Sequence, residues 1–353
     1  MIVKIVPSRQ LKALNQRWLE AKKRRLIFAV ILLLIGLTAF LPGCSVWGQF
    51  MGEEEPEENP PVSEPEPQEE ERQALHPPVV NISPARPVRG DHVVIEVGPF
   101  LEEPAVLVES DLRGDMSLPY WHEDWVHILL AVSYFNEPGE YPITFEAFWG
   151  ENEVWEVRET LEVVEGDFTF QSFSMPASRT DGWTSKQLEE DREKTRQARE
   201  ITYSRPLWYG SFEWPLEGRI SSDYGAMRSI NNRNPTRHNG IDIAAPEGTP
   251  LAAANKGVVR LAEHLLASGN IIIIDHGLDV SSAYLHLHEI YVEVGQWVDK
   301  GEIIGTVGQT GYATGPHLHW SVFVGHTPVS PYAFMDGDYP VILYRRGQDL
   351  NPN

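Results

Sequence analysis

Three features of this 353-residue chain predict a mostly β protein. Short apolar or alternating runs, separated by Gly, Pro and Asn turns, fill residues 78–166 and again residues 207–335. A single segment, Thr184 to Ile201, carries the charge density and helix formers of a helix. A run of Glu and Pro, Gly52 to Arg72, has no aromatic residue and cannot bury enough apolar surface to fold. The predicted order is an N-terminal apolar segment (1–44), a disordered acidic linker (45–77), a β-sandwich (78–166), a connector with a helix (167–206), an antiparallel β-sheet domain (207–335) and a tail (336–353).

Residues 1–25 are basic and end in "KKRR"; Leu26 to Pro42 is uncharged and strongly apolar. That is the layout of an export signal, and the positive charges before the apolar core keep the N-terminus cytoplasmic. "LPGC", Leu41 to Cys44, resembles a bacterial lipobox, which implies cleavage before Cys44 and a lipid on that residue. The alternative is an uncleaved signal anchor, since Leu26 to Met51 is long enough to span a bilayer. Both readings place the remainder outside a bacterial cytoplasmic membrane, in the cell envelope. Cys44 is the one cysteine, so no intrachain disulfide forms.

Ten glutamates of Gly52–Arg72 contribute much of the net charge of −22. Proline and like charge extend such a run, so about 30 residues hold a domain up to roughly 90 Å from the membrane. The acidic balance argues against nucleic-acid binding, which needs basic surface.

In the sandwich, "HVVIEVG", "PAVLVES", "VHILLAVSY", "YPITFEAFWG" and "EVWEVRETLEVVEG" read as strands, with turns at "ARPVRGD", "FNEPGE" and "GENE". Six or seven such strands in about 90 residues point to an Ig-like fold. "FNEPGEYPITFEA" also resembles the β-domain found before some bacterial cell-wall peptidases. His92, His122 and His127 share no ligand spacing and read as surface or core residues. Thr184 and Gln187 fit a capping box at the start of an exposed connecting helix.

Eight of the twelve histidines lie after residue 206. "GRISSDYG", "GVVRLAEH", "NIIIIDHG", "SSAYLHLH", "YVEVGQWV" and "KGEIIGTVG" read as strands broken by Gly turns. "RHNGID" sets His238 and Asp242 four apart, and Gly240 makes this a loop entering a strand rather than a helix. "YLHLH" holds Tyr284, His286 and His288 at period two, and "HLH" does the same with His317 and His319. Each motif alone is ambiguous. Together they supply the imidazole and carboxylate donors of a catalytic zinc site, which uses three protein ligands and keeps a position open.

"GRISSDYGAMRSINNRNPTRHNGIDIAAPEGTPLAAANKGVV" resembles the opening of the lysostaphin-type zinc metallopeptidases, which cut peptide cross-links of bacterial peptidoglycan. "IIIDHGLDVSSAYLHL", "VEVGQWVDKGEIIGTVGQTGYATGPHLHW" and "PVSP" continue it, from Leu207 to about Pro331. The resemblance implies His238, Asp242 and His319 as zinc ligands, and His286 and His317 as the catalytic pair beside them. It implies peptidoglycan peptides as substrate, and a zinc-activated water whose proton one of the pair takes while the other donates to the oxyanion. Some members carry a tyrosine shortly before the first zinc histidine; "NNRNPTR" has none, which leaves oxyanion stabilisation to the two histidines. His264, His276 and His288 fall outside the pattern and read as structural. The alternative function is a catalytically silent wall-binding regulator that activates another hydrolase; domains of that kind have lost zinc ligands, and all five positions are intact here. "VGQWVDKGEIIGTVG" resembles a biotinyl or lipoyl carrier, but Lys300 lacks the tight-hairpin context of a modified lysine.

Overall fold

Residues 79–163 build two facing sheets from seven strands. These are β2 (Val79–Ser83), β3 (His92–Gly98), β4 (Ala105–Ser110), β5 (Tyr120–His122), β6 (Trp125–Ala131), β7 (Gly139–Trp149) and β8 (Glu153–Val163). The computed structural model describes residues 2–4, 77–101, 103–149, 153–174, 183–200, 203–231 and 234–335. The apolar N-terminal segment, Cys44, the acidic run and the tail from residue 336 lie outside the described residues.

One sheet has the order β2-β3-β6-β5 and the other β4-β7-β8, with β1 (Ile2–Lys4) antiparallel beside β4. Lettered in chain order, these are the A-B-E-D and C-F-G sheets of an immunoglobulin constant-type sandwich. Tyr141, near the start of β7, donates its hydroxyl to the carbonyl of Glu137 at 2.7 Å, as in the tyrosine corner of that fold. Val93, Ile95, Ile128 and Leu130 face Val106, Val108 and Phe145 in the sandwich core.

The alternating residues of β3 and β6 are apolar too, which is why "HILLA" runs apolar instead of alternating. Val94, Leu129 and Ala131 belong to one apolar cluster with Val280, Val322 and Val324 of the C-terminal sheet and Phe334 of the turn that follows it. Around that contact the Leu118 amide donates to Asp279 Oδ2 at 2.6 Å, and the Ser330 amide to the Gly90 carbonyl at 2.8 Å. The sandwich is thus joined to the C-terminal domain through a buried apolar interface, both lying within one compact unit.

The connector contains a helix, α1 (Ser185–Gln197), and a strand, β9 (Phe170–Phe173). Thr184 Oγ1 accepts from the Gln187 amide at 3.2 Å, and Gln187 Oε1 from the Thr184 amide at 3.1 Å, so the capping box forms. No residue of α1 is buried. Strand β9 was not foreseen, because four residues are too few to show a period. It pairs in parallel with β11 (Met227–Ile230), which also pairs with β12 (Thr236–Arg237).

The main C-terminal sheet contains β10 (Arg219–Ser222), β13 (Ile241–Ala244), β15 (Gly257–Leu265), β16 (Gly269–Asp275), β17 (Val280–Leu287), β18 (Trp297–Val298), β20 (His317–Val324) and β21 (Thr327–Val329). Its order is β10-β13-β20-β17-β16-β15-β18, with β21 beside β20 and every pairing antiparallel. β14 (Pro250–Ala252) and β19 (Ile303–Thr306) form a separate ribbon. Most of the strand expected over Tyr291–Val298 is turn, because Gly295 adopts φ +90° and reverses the chain; only Trp297 and Val298 pair. One face of the sheet, with Ile241, Ile243, Leu318 and Trp320, packs into the shared core. The opposite face carries the chemistry.

Candidate metal centre and cleft

Asp242 on β13 lies opposite His319 on β20, and Ala244 lies opposite His317. Cross-strand partners in a ladder share a face, so the two strands bring Asp242, His317 and His319 to one patch. Close pairing of β13 and β20 depends on Gly240. A Cβ there would sit 2.4 Å from both Ser321 Oγ and the Trp320 carbonyl oxygen.

His238 arrives from outside the ladder. Its amide donates to the Ala226 carbonyl at 2.9 Å, and its carbonyl accepts from the Gly225 amide at 2.8 Å. Its Nδ1 donates to the Asp223 carbonyl at 2.8 Å; a carbonyl only accepts, so the proton is on Nδ1 and Nε2 keeps its lone pair. That Nε2 lies 2.9 Å from His319 Nδ1 and 3.1 Å from Asp242 Oδ1, and His319 Nδ1 lies 2.9 Å from the same oxygen. His319 Nε2 bonds Ser321 Oγ at 2.8 Å.

Three buried donor atoms thus converge within 3.1 Å of one another. Tetrahedral bonds of about 2.0–2.1 Å would set zinc donors roughly 3.3 Å apart, so a small outward movement of the three atoms separates this arrangement from a loaded site. The electrostatics agree. Burial alone would raise the Asp242 carboxyl, but the His238 and His319 imidazoles against it hold it well below the usual carboxylate range. Burial pushes His319 down to about 4, against the opposing pull of Asp242. An anionic carboxylate beside buried imidazole nitrogens is the donor set of a divalent cation. Arg228, on β11, bonds the outer oxygen of Asp242 and donates from Nε to Ser222 Oγ at 3.2 Å.

His317 stands beside this triple and apart from it. Its Nδ1 donates to the Gly315 carbonyl at 2.8 Å, and its Nε2 is 3.8 Å from Asp242 Oδ1. His286 reaches the same place by a different route. Leu285 is the residue opposite His319, so strict alternation would send His286 to the core face with Tyr284. The β16–β17 register shifts between Asn270 and Ile272, and His286 adopts φ +66°. That bulge turns its ring into the site, 4.9 Å from the His317 ring. A non-glycine residue in this region costs about 1–3 kcal/mol. Its Nδ1 donates to the Thr310 carbonyl at 2.9 Å, which leaves Nε2 as an acceptor. Burial first, and His317 second, lower its pKa to about 3.

Among the described residues, the other histidines stay out of the site. His276 is buried between the Lys256 carbonyl and Ser282 Oγ, His264 bonds Asn270, and His288 lies 3.3 Å from Glu247. His92 stacks on Phe334 with ring centroids 4.3 Å apart, and His127 lies 3.3 Å from Glu96.

His286, His317 and Asp242 open into a cleft of about 460 Å³. One wall comes from β9 and β11, with Gln171, Phe173, Arg228 and Ile230; the other comes from Tyr312, Thr314 and Pro316. Sequence reasoning missed both walls. Although "NNRNPTR" lacks a tyrosine, Tyr312 supplies one from the turn before β20. Gly311 in that turn is required, since its φ is +71° and a Cβ would meet the Gly269 amide nitrogen at 2.3 Å. At Gly315, by contrast, a Cβ would meet nothing within 4 Å.

Residues 236–331 match Peptidase family M23. The chain is 41% identical over 113 residues to the peptidoglycan DD-endopeptidase ShyA of Vibrio cholerae, a match covering 32% of this chain and 26% of that protein. It is 40% identical over 113 residues to the DD-carboxypeptidase/endopeptidase Mpg of Neisseria meningitidis, covering 32% and 26%. The chain therefore spans about a quarter of the length of these curated relatives. A crystal structure from Pseudomonas aeruginosa described as a peptidase M23 superposes with a TM-score of 0.52 at 26% identity, covering 71% of this chain and 95% of that one. That likeness reaches well beyond residues 236–331.

Proposed function

For a chain whose residues 236–331 form a domain of peptidase family M23, we propose a zinc-dependent endopeptidase that hydrolyses peptide cross-links of bacterial peptidoglycan. The observation that carries this reading is the convergence of His238, Asp242 and His319 beside two further imidazoles at an open cleft. Relatives named for peptidoglycan endopeptidase activity support the substrate class.

His238, Asp242 and His319 would hold the metal, with Arg228 and Ser321 orienting two of them from behind. Zinc, when bound, supplies a Lewis acid and brings the pKa of water towards about 7. His286 and His317 then share the proton transfers: one, as the neutral ring, accepts the water's proton at Nε2, and the other, entering the step as the imidazolium, donates its Nε2 proton to the oxygen on which charge develops. Their Nδ1 protons are tied to backbone carbonyls, so each presents Nε2 without rotating. Pre-set rings of this kind need little reorganisation as charge develops.

The basic N-terminus, apolar run and Cys44 would anchor the enzyme at the outer face of a bacterial membrane, by a lipid on Cys44 or an uncleaved helix. Either route takes Ile2–Lys4 away from the edge of β4. Labelled palmitate incorporated by wild type and not by Cys44→Ser would identify the lipid route; equal incorporation would exclude it. Among the described residues no helix is long and apolar enough to cross a membrane.

The test of the activity is digestion of purified sacculi by a fragment starting at Pro78. Peptides should be released by wild type, lost on zinc chelation and restored by added zinc. Equal release by His319→Ala would overturn the reading.

A further inference from the structure

We infer that Gln171, from the connector strand β9, is a substrate-binding residue whose side-chain Nε2 donates to a main-chain carbonyl of the peptide in the cleft. The inference rests on the endopeptidase reading and adds a contact from outside the matched residues 236–331.

A chain of hydrogen bonds sets the orientation of this amide. Arg228 lies opposite Gln171 in the parallel β9–β11 pair, and Phe173 lies opposite Ile230, so all four side chains share the face that walls the cleft. Arg228 Nε donates to Ser222 Oγ at 3.2 Å, so this oxygen already accepts and its own proton is free to go elsewhere. That proton goes to Gln171 Oε1 at 2.7 Å. The oxygen of the amide is thereby assigned to Ser222, and Nε2 is the end left over.

Among the described residues Nε2 has no partner, while its residue is half-buried at the cleft wall. An amide N–H in that position is a donor held ready for an acceptor that arrives with the substrate. A peptide crossing the cleft offers such acceptors, its main-chain carbonyls, and Phe173 with Ile230 gives apolar support beside it. The donor is two hydrogen bonds from Arg228, which grips the metal-ligating carboxylate of Asp242, so it is tied to the reaction centre.

Two substitutions separate donation from mere support of Ser222. Gln171→Glu keeps an oxygen for the Ser222 hydroxyl and removes the donor. Gln171→Lys keeps a donor and removes the oxygen. Kinetics on soluble cross-linked muropeptides, with metal content measured in parallel, should show Gln171→Glu losing about tenfold in kcat/KM, mainly through KM. Gln171→Lys should stay within about threefold of wild type, and both should keep their metal. Glu retaining activity while Lys loses it would mean that the residue works through Ser222, and would overturn the inference. Equal loss in both variants, or no loss in either, would overturn it too. Wild-type cleavage in the same assay holds the endopeptidase reading fixed; an inactive, metal-loaded wild type would overturn that reading and the subsite with it.

Discussion

Replacing His319 and His317 separately should split metal binding from turnover, although the two stand side by side on one strand. His319 Nδ1 is 2.9 Å from both His238 Nε2 and Asp242 Oδ1, whereas His317 Nε2 is 3.8 Å from that oxygen. His319→Ala therefore removes one of three donors. If a zinc site is worth about 10–16 kcal/mol, one donor's share is roughly 3–5 kcal/mol, or about a 10²–10⁴-fold loss of affinity. His317→Ala leaves the three donors in place and removes a group that moves a proton, worth about 10²–10⁴-fold in kcat. The assay is zinc content after dialysis against a graded chelator, together with peptide release from sacculi at saturating zinc. His319→Ala should be metal-poor, and His317→Ala metal-replete and slow. If His317→Ala loses zinc as readily as His319→Ala, or keeps wild-type turnover, the division of roles is wrong.

Gly240→Ala forces a Cβ to within 2.4 Å of the Trp320 carbonyl, so β13 and β20 must part; zinc affinity should fall at least tenfold with loss of about 1–3 kcal/mol of stability, read by chelator competition and denaturant unfolding. Leu129→Ala empties a 1% exposed position in the inter-domain cluster and should cost about 2–5 kcal/mol. If the sandwich and the C-terminal domain share that core, they should melt as one calorimetric transition that the substitution lowers in temperature; two separate transitions of which only the sandwich's moves would contradict the shared core. Burial holds His276 down at about 4 against an ordinary 6.5. Its folded pKa is below its unfolded one, so its cost is absent above pH 6.5 and grows as pH falls to 4, on the order of 3 kcal/mol. The stability gap between wild type and His276→Gln should therefore narrow over that window. The comparison cancels Asp91 and Asp279, whose carboxyls burial raises to about 6 and whose contributions run the other way. A gap that does not change with pH would refute the assignment.

Parts of the site and of the fold are legible because their links are local. His317 and His319 share a face through the two-residue period of a strand, and the Thr184–Gln187 cap is written in four residues. The order of turns and apolar runs likewise yields the sandwich and the β-sheet domain. What the strand period misplaces is His286. Period two puts it with Tyr284, but Tyr284 is in the core and His286 is in the cleft. A bulge is a property of two strands at once, and neither strand's sequence shows where the register slips.

Recognition of donor types belongs to the sequence by itself: imidazoles and a carboxylate, in motifs whose order resembles one peptidase family. Their convergence to 3.1 Å belongs to the tertiary structure, because His238 and His319 are 81 residues apart and meet through the β13–β20 ladder and the backbone clamp at Ala226. The same holds for the wall built by β9 and for the apolar face joining the two domains. Short strands and doubly buried runs look alike in sequence until a partner covers them, since burial is settled by the neighbour and not by the residue.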